Sequence, residues 1–378
     1  MATKGYAAQE VEQTYARARA LCQQVGNTPQ LFPVLRGLCE FYLNRGALTT
    51  GRELGEQLYW LAQREAGPSL LLEACDALGI ICFFLGEFAA ARTYLEQGIT
   101  LTDPTAQQVL VLRHAVAPGV RCLAVAANTL WCLSYPAQAM RRSQEALALA
   151  QALAHPYSLA VAQYFAASLH YRCREVSAVR AQAEALLTLA TAQGFPLWVG
   201  YGTCWRNWAL AVQGQGEVDL AQMHQGLMAT LATGQTLARP LCLVLLAEAA
   251  GYVGRVAEGL RLLAEALEAF EASERWELLA EAYRLQGELL LRQAVPEVAQ
   301  AEVSFQQALA IARRQQARSY ELRAAVGLSR LWQQQGKQAE AYELLAPIYG
   351  WFTEGFDTAD LQEAKALLEA LAQRDTSR

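Results

Sequence analysis

The side chains best suited to chemistry are scattered through this chain and fall into no known constellation. Its four histidines, His114, His155, His170 and His224, lie far apart, and no HExxH pattern is present. Gly336-Lys337 is followed by Gln338 and lacks an upstream glycine loop, so a phosphate cradle of the GxxxxGK[ST] kind is missing. There is no GxSxG nucleophile elbow. Carboxylates at helical spacing, such as Glu277 and Glu281, read as a solvated helix face. No catalytic, cofactor-binding or metal-binding residue is assigned, and the chain reads as non-enzymatic. The chemistry that remains is recognition. Polar residues lie off the packing stripe of successive helices at Arg36, Glu40, Asn44, Asp76, Asn128, Arg206, Glu248, Tyr252, Arg284, Glu288 and Arg330. Their mixed charge suits a protein or peptide partner better than a phosphate polymer.

The elements that position these residues show most clearly between Thr203 and Glu271. Trp205 and Trp208-Ala209 share one helical face, Gly216 breaks the helix, and Leu220-Ala221 and Leu227 restart the pattern. A second copy follows: Leu243, Leu246 and Ala247, then Gly254, then Leu260, Leu263 and Ala266. Large apolar residues beside small ones let two helices approach, and a glycine turn returns the chain antiparallel. This is the logic of a tetratricopeptide-type repeat.

Other copies follow the same plan. An amphipathic helix, Val11 to Gln23, precedes a pair with its turn at Asn44-Arg45-Gly46 and a pair with its turn at Leu85-Gly86-Glu87. Asp103 to Gly119 is the longest irregular interval, helical at most around Gln107 to Arg113. The pattern resumes at Leu123 and continues through two pairs before the stretch above and two pairs after it, the last carrying Pro347 inside a helix. A kink or early end is expected there. Asp357 and Asp360 are placed to cap a last helix reaching about Gln373. Pro68, Pro104, Pro156, Pro196 and Pro240 fall between repeats, where a missing N–H costs least. The period of about forty residues exceeds the roughly thirty-four of the minimal unit, so the helices should be longer. No stretch alternates as a strand does. The expected fold is all-α: a tetratricopeptide-like α-solenoid, a right-handed superhelix of about eight antiparallel helix pairs plus terminal helices. Residues 1–113 and 114–378 form one continuous solenoid.

Composition agrees. Hydrophobic residues make up 53% of the 378, enough for a continuous core, and a repeat array needs only nearest neighbours to bury it. A net charge of −5 leaves no footprint for nucleic acid. Lysine occurs only at Lys4, Lys337 and Lys365, which reads as codon bias ahead of Arg-based anion recognition. The nine cysteines (Cys22, Cys39, Cys75, Cys82, Cys122, Cys132, Cys173, Cys204 and Cys242) form no CxxC pair and read as buried apolar residues of a reducing cytoplasm. The uncharged runs Cys122–Met140 and Ala185–Trp205 hold mid-run prolines and read as helix–turn–helix material, with no membrane span.

Leu344 to Leu371, LLAPIYGWFTEGFDTADLQEAKALLEAL, closely resembles the C-terminal ending of bacterial adenylate/guanylate cyclase and predicted-ATPase proteins. These are STAND-type signal-transduction ATPases in which effector and nucleotide-binding domains precede a tetratricopeptide array. RRQQARSYELRAAVGLSRLWQQQGK (Arg313–Lys337), RLQGELLLRQAVPE (Arg284–Glu297), LVLLAEAAGYVG (Leu243–Gly254), HPYSLAVA (His155–Ala162) and GRELGEQL (Gly51–Leu58) extend the resemblance over most of the chain. One phrase departs: His114-Ala115-Val116-Ala117-Pro118-Gly119-Val120 stands where relatives carry Tyr-Gly-x-Asp-Pro-Gly-Val.

The resemblance implies a regulatory or sensor arm for an ATPase or cyclase effector, and it brings no catalytic residue because those domains are absent here. A detached arm, a split gene or an excised piece all fit a chain that opens where the array should. The leading expectation is a cytoplasmic scaffold binding a protein or peptide in an open concave groove, so that charge reversal at Arg206 or Arg284 weakens binding without unfolding. The alternatives are a small-molecule sensor with a closed pocket walled by the Trp198–Trp208 cluster, and self-association.

Overall fold

A computed structural model describes residues 13–15, 17, 18, 20, 30–65, 67–111, 115–214 and 220–375, without the side chains of 104–106 and 374–375. No strand occurs among them. Eight antiparallel pairs follow one another. They are α1 (Leu31–Asn44) with α2 (Leu48–Glu65), α3 (Pro68–Phe84) with α4 (Phe88–Thr100), and, after the short α5 (Pro104–Leu110), α6 (Pro118–Cys132) with α7 (Pro136–Ala152). Then come α8 (Pro156–Arg172) with α9 (Val176–Gln193), α10 (Pro196–Gln213) with α11 (Leu220–Ala232), and α12 (Arg239–Tyr252) with α13 (Val256–Ala272). The last two pairs are α14 (Leu279–Leu291) with α15 (Val298–Arg314) and α16 (Arg318–Gln334) with α17 (Gln338–Tyr349), and α18 (Ala359–Asp375) closes the array.

Left-handed backbone positions mark the period. Turns inside pairs take positive φ at Ser134, Arg174, Gly214 and Gly254, forty residues apart. Turns between pairs do so at Ala154, Gly194, Gly234 and Glu274, again forty apart and midway between the first set. Such residues end a helix by turning its last carbonyls toward following amides. The same mark falls at Gly86 and next at Ser134, forty-eight residues on, so α5 is an eight-residue insertion in the count.

Several boundaries differ from the sequence reading. The break in the fifth pair is Gly214, at φ 61°; Gly216 lies outside the described residues. The sixth helix opens at Pro118, five residues before Leu123, because proline at a helix start gives up an N–H that has no partner there anyway. Pro68, Pro136, Pro156 and Pro196 open helices in the same way. The helix holding Pro347 ends two residues later at Tyr349. Asp360 lies in the first turn of α18, and its carboxylate is held by Arg323 and Arg174. Of the first amphipathic helix, residues 13–15, 17, 18 and 20 are helical; Val11, Cys22 and the stop at Asn27-Thr28-Pro29 lie outside the described residues.

Small residues set the closest crossings. A Cβ on Gly200 of α10 would lie 2.6 Å from the backbone oxygen of Gly226 of α11, so these helices touch backbone to backbone. Every residue of α6 is buried, as expected for a helix surrounded on all sides. It packs on α3, α4, α7 and α8, and also meets α16 from the other end of the chain.

That last contact belongs to a seam. Gln235 Nε2 donates to Asn44 Oδ1 at 2.7 Å, Thr236 N to Asn44 O at 3.2 Å, and Trp276 N to Phe84 O at 2.7 Å. Farther along, Ser319 Oγ donates to Trp131 O at 2.5 Å, and the Ala137 and Gln138 amides donate to Glu354 Oε1 at 3.0 and 3.1 Å. Each bond joins residues separated by about half the chain or more. The superhelix therefore returns on itself after about five pairs, and successive turns touch. What sequence alone suggests is an open groove; here the touching turns leave a lumen that is only part open.

Candidate functional site

The first helices of the pairs face this lumen, and the eleven groove residues divide accordingly. Arg36, Glu40 and Asn44 line a first cavity of about 630 Å³. Glu248, Tyr252, Arg284, Glu288 and Arg330 line a second of about 320 Å³. Asp76 is buried behind the first cavity. Asn128 is buried in the core, its amide donating to Phe165 O at 3.0 Å. Arg206 lies outside both cavities and reaches Gln222 Oε1 at 3.3 Å.

The two cavities occupy opposite ends of the same helices. On α8, Tyr157, Val161, Tyr164 and Phe165 face the first and Tyr171 the second; on α10, Trp198 and Tyr201 face the first and Trp208 the second. Between them Ser168, Arg172, Cys204 and Trp205 are buried. Arg172 stacks on Phe83 and Arg323 on Trp131, 5.8 and 4.9 Å from the ring centres.

One wall of the first cavity rests on a buried ionic quartet. Arg36 donates to Glu40 at 2.9 Å and to Asp76 at 2.8 Å. Arg121 donates to Asp76 Oδ1 at 2.7 Å, to Asp76 Oδ2, and to Glu40 at 3.0 Å. Burial alone would raise the Glu40 carboxyl, but the guanidiniums of Arg121 and Arg36 outweigh it and hold it at about 2. Two cations and two anions leave this wall neutral. The opposite wall is aromatic: Tyr157, Tyr164, Trp198 and Tyr201 lie in mutual contact, with centroids 4.5 to 5.7 Å apart. The Trp198 indole N–H is buried and has no acceptor among the described residues. Tyr201 Oη donates to Gln235 Oε1 at 3.2 Å, and Gln235 in turn reaches Asn44 across the seam.

The second cavity is polar. Glu281 is fixed by Arg284 at 2.9 Å and Arg323 at 3.3 Å, and against the upward push of burial these hold it at about 2. Asp360 pairs with Arg323 at 2.8 Å, and Glu363 with Arg330 at 2.5 Å and with Arg174. Glu288 pairs with Arg284. Glu248 accepts from Trp208 Nε1 at 2.9 Å and has no ion pair among the described residues.

Glu277 and Glu281 are not the solvated face that their spacing suggests: Glu277 is fully buried against Arg275 at 2.5 Å, and Glu281 lies in the network above. Phe83 and Trp131 are core; Phe84 is core with an edge on the first cavity. His155 caps α8, accepting from Ser158 N at 3.3 Å, and burial lowers its pKa. His170 pairs with Glu175 at 2.5 Å, while His114 and Cys22 lie outside the described residues. The other cysteines are free thiols, and burial pushes those of Cys39, Cys75, Cys82, Cys132 and Cys173 up to about 12, far from a reactive thiolate.

The sequence reading missed Arg121, Tyr171, Arg323 and Asp360. A signal for part of it exists: residues forty apart on successive first helices touch, as Arg36–Asp76 and Trp208–Glu248 do.

No family model matches the chain, and no curated protein matches it. Among solved structures it is similar to a Signal Transduction ATPase with Numerous Domains carrying a tetratricopeptide repeat sensor, from Pyrococcus horikoshii. That match has 15% identity and a TM-score of 0.42, over 97% of this chain and 54% of that one. Yeast Tom70 matches at 12% identity and a TM-score of 0.44, over 92% of this chain and 64% of that one. The Cut9–Hcn1 hetero-tetramer of the APC/C matches at 12% and 0.30, over 96% and 94%. The chain thus spans about half the length of the first of these and under two thirds of the second. Similarities this distant say nothing about activity or partners.

Proposed function

We propose that this chain is a non-catalytic sensor arm that takes up a small organic molecule in the first cavity and thereby sets how firmly the superhelix is closed. One observation carries the reading: the cavity is lined by the first helices of the first five pairs, by Tyr15, Glu65, Ala115 and Val116, and by Gln235 and Leu237 from the link that crosses the seam. A molecule lodged there touches both turns at once. Binding that favours the closed form must stabilise it, and the same coupling lets closure report occupancy. A volume of about 630 Å³ between an aromatic wall and a polar one that carries Glu40, Asn44, Glu73 and Gln235 suits a compact organic ligand with its own hydrogen-bonding groups.

The output side of this reading is an attached or separate ATPase or cyclase effector, for which the support is the resemblance of Leu344 to Leu371. The test is a thermal-shift screen of a metabolite library against the wild type and Val161→Phe, which fills the cavity from its wall. A genuine ligand raises the melting temperature of the wild type alone. The reading fails if no metabolite shifts the wild type, or if every hit shifts both proteins equally.

A further inference from the structure

The second cavity differs from the first in both charge and lining, and its own features point to a different ligand. Four guanidiniums, of Arg174, Arg284, Arg323 and Arg330, face five carboxylates, of Glu248, Glu281, Glu288, Asp360 and Glu363. Every carboxylate but one holds a guanidinium within ion-pair distance. The exception is Glu248, which is partly accessible and is held from one side by the Trp208 indole. Tyr171, Trp208 and Tyr252 form the aromatic part of the wall, with the Tyr171 and Trp208 rings 4.9 Å apart. The arrangement lacks one cation, at a carboxylate already oriented beside π-systems that attract positive charge.

We propose that this cavity binds a compact organic cation, a small molecule headed by a primary ammonium or guanidinium, with its charge seated on Glu248 against Tyr171, Trp208 and Tyr252. The volume of about 320 Å³ admits an aliphatic amine of several carbons and excludes a folded partner's helix. Arg330 and Glu288, roughly half exposed, flank the cavity and offer a second charged contact of either sign.

The groups around Glu248 are Glu281, Arg284 and Glu288 from α14, Trp208 from α10, Tyr171 from α8 and Tyr252 from its own helix, the last stacked by Arg292 at 5.9 Å. Burial, and next the Glu281 charge, push Glu248 up to about 7 against Arg284 and the Trp208 and Tyr171 hydrogen bonds. Seating a cation therefore displaces a proton from Glu248 near neutral pH. Affinity must rise with pH across that range while the amine stays protonated.

The experiment is titration calorimetry of the full chain with putrescine and agmatine, with n-butanol as the uncharged control, at pH 6 and pH 8 and in two buffers of different ionisation enthalpy. The expected result is binding of at least one amine but not butanol. Affinity should tighten about tenfold from pH 6 to pH 8, with proton release in the lower range. Glu248→Gln, which keeps the acceptor for Trp208, should weaken binding at least tenfold at pH 8, and Val161→Phe should leave it unchanged. Absence of amine binding at millimolar concentration, or binding without proton release, overturns the proposal. So does equal binding by Glu248→Gln, and the wild-type pH profile decides should that variant not fold.

Discussion

Charged residues in the lumen are committed to one another, and that commitment sets what substitution does to them. Arg284 holds Glu281 and Glu288 inside the second cavity, whereas Arg206 makes one long contact outside both. Arg284→Glu should destabilise the fold by about 3–5 kcal/mol, because it replaces a buried cation with a further carboxylate beside Glu281 and Glu288, while Arg206→Glu should cost about 0.5 kcal/mol or less. Urea denaturation of the two variants checks this, and equal midpoints would refute it. On this account the fold should withstand charge reversal at Arg206 and not at Arg284.

pH acts on the same residues with both signs. Glu40 and Glu281 have pKa values lowered from 4.5 to about 2, so their stabilisation is present above 4.5 and lost as pH falls toward 2. Glu248 is raised from 4.5 to about 7, so stability is lost as pH rises across that interval. Glu248→Gln should therefore be more stable than wild type at pH 8 by about 1–3 kcal/mol, with the difference vanishing below pH 5. Chemical melts across pH measure it, and a difference independent of pH would contradict the assignment. Eight of the eleven candidate groove residues line a cavity, because position off the packing stripe of a first helix is readable from periodicity. Their partners were not readable. Arg121 pairs with residues forty-five and eighty-one positions away, across the α5 insertion that breaks the forty-residue count.

Helix pairs were the most legible feature, since large–small alternation and glycine turns recur wherever two helices must cross and reverse. Boundaries were less so. The start of α6 was hidden because Pro118 looks like a breaker and is a helix opener, and Asp360 was drawn into an ion pair that only the distant Arg323 supplies. Crossing distance also yields a prediction. Gly200→Ala would place its methyl 2.6 Å from the Gly226 oxygen, so α10 and α11 must separate, at about 1–3 kcal/mol. Gly214→Ala meets nothing within 4 Å and should cost only the strain of its positive φ, about 1 kcal/mol. Melting temperatures of the two variants should rank in that order, and the reverse ranking would contradict the packing described for the fifth pair.

Closure belongs to the whole molecule. Periodicity reports neighbours forty residues apart and is silent about contacts half a chain away, so nothing in the repeats announced that Thr236 would meet Asn44 or Trp276 meet Phe84. Yet those contacts convert an exposed groove into two cavities of different chemistry, and the functional reading rests on them. Hydrogen exchange of the intact chain tests this most directly. The amides of Thr236 and Trp276 donate across the seam in links between pairs, where a solvent-facing amide would exchange within seconds. Protection of both amides comparable to that of flanking helices is the result predicted for a closed superhelix. Rapid exchange at both, with the helices themselves protected, would mean an open solenoid and would contradict the closed seam.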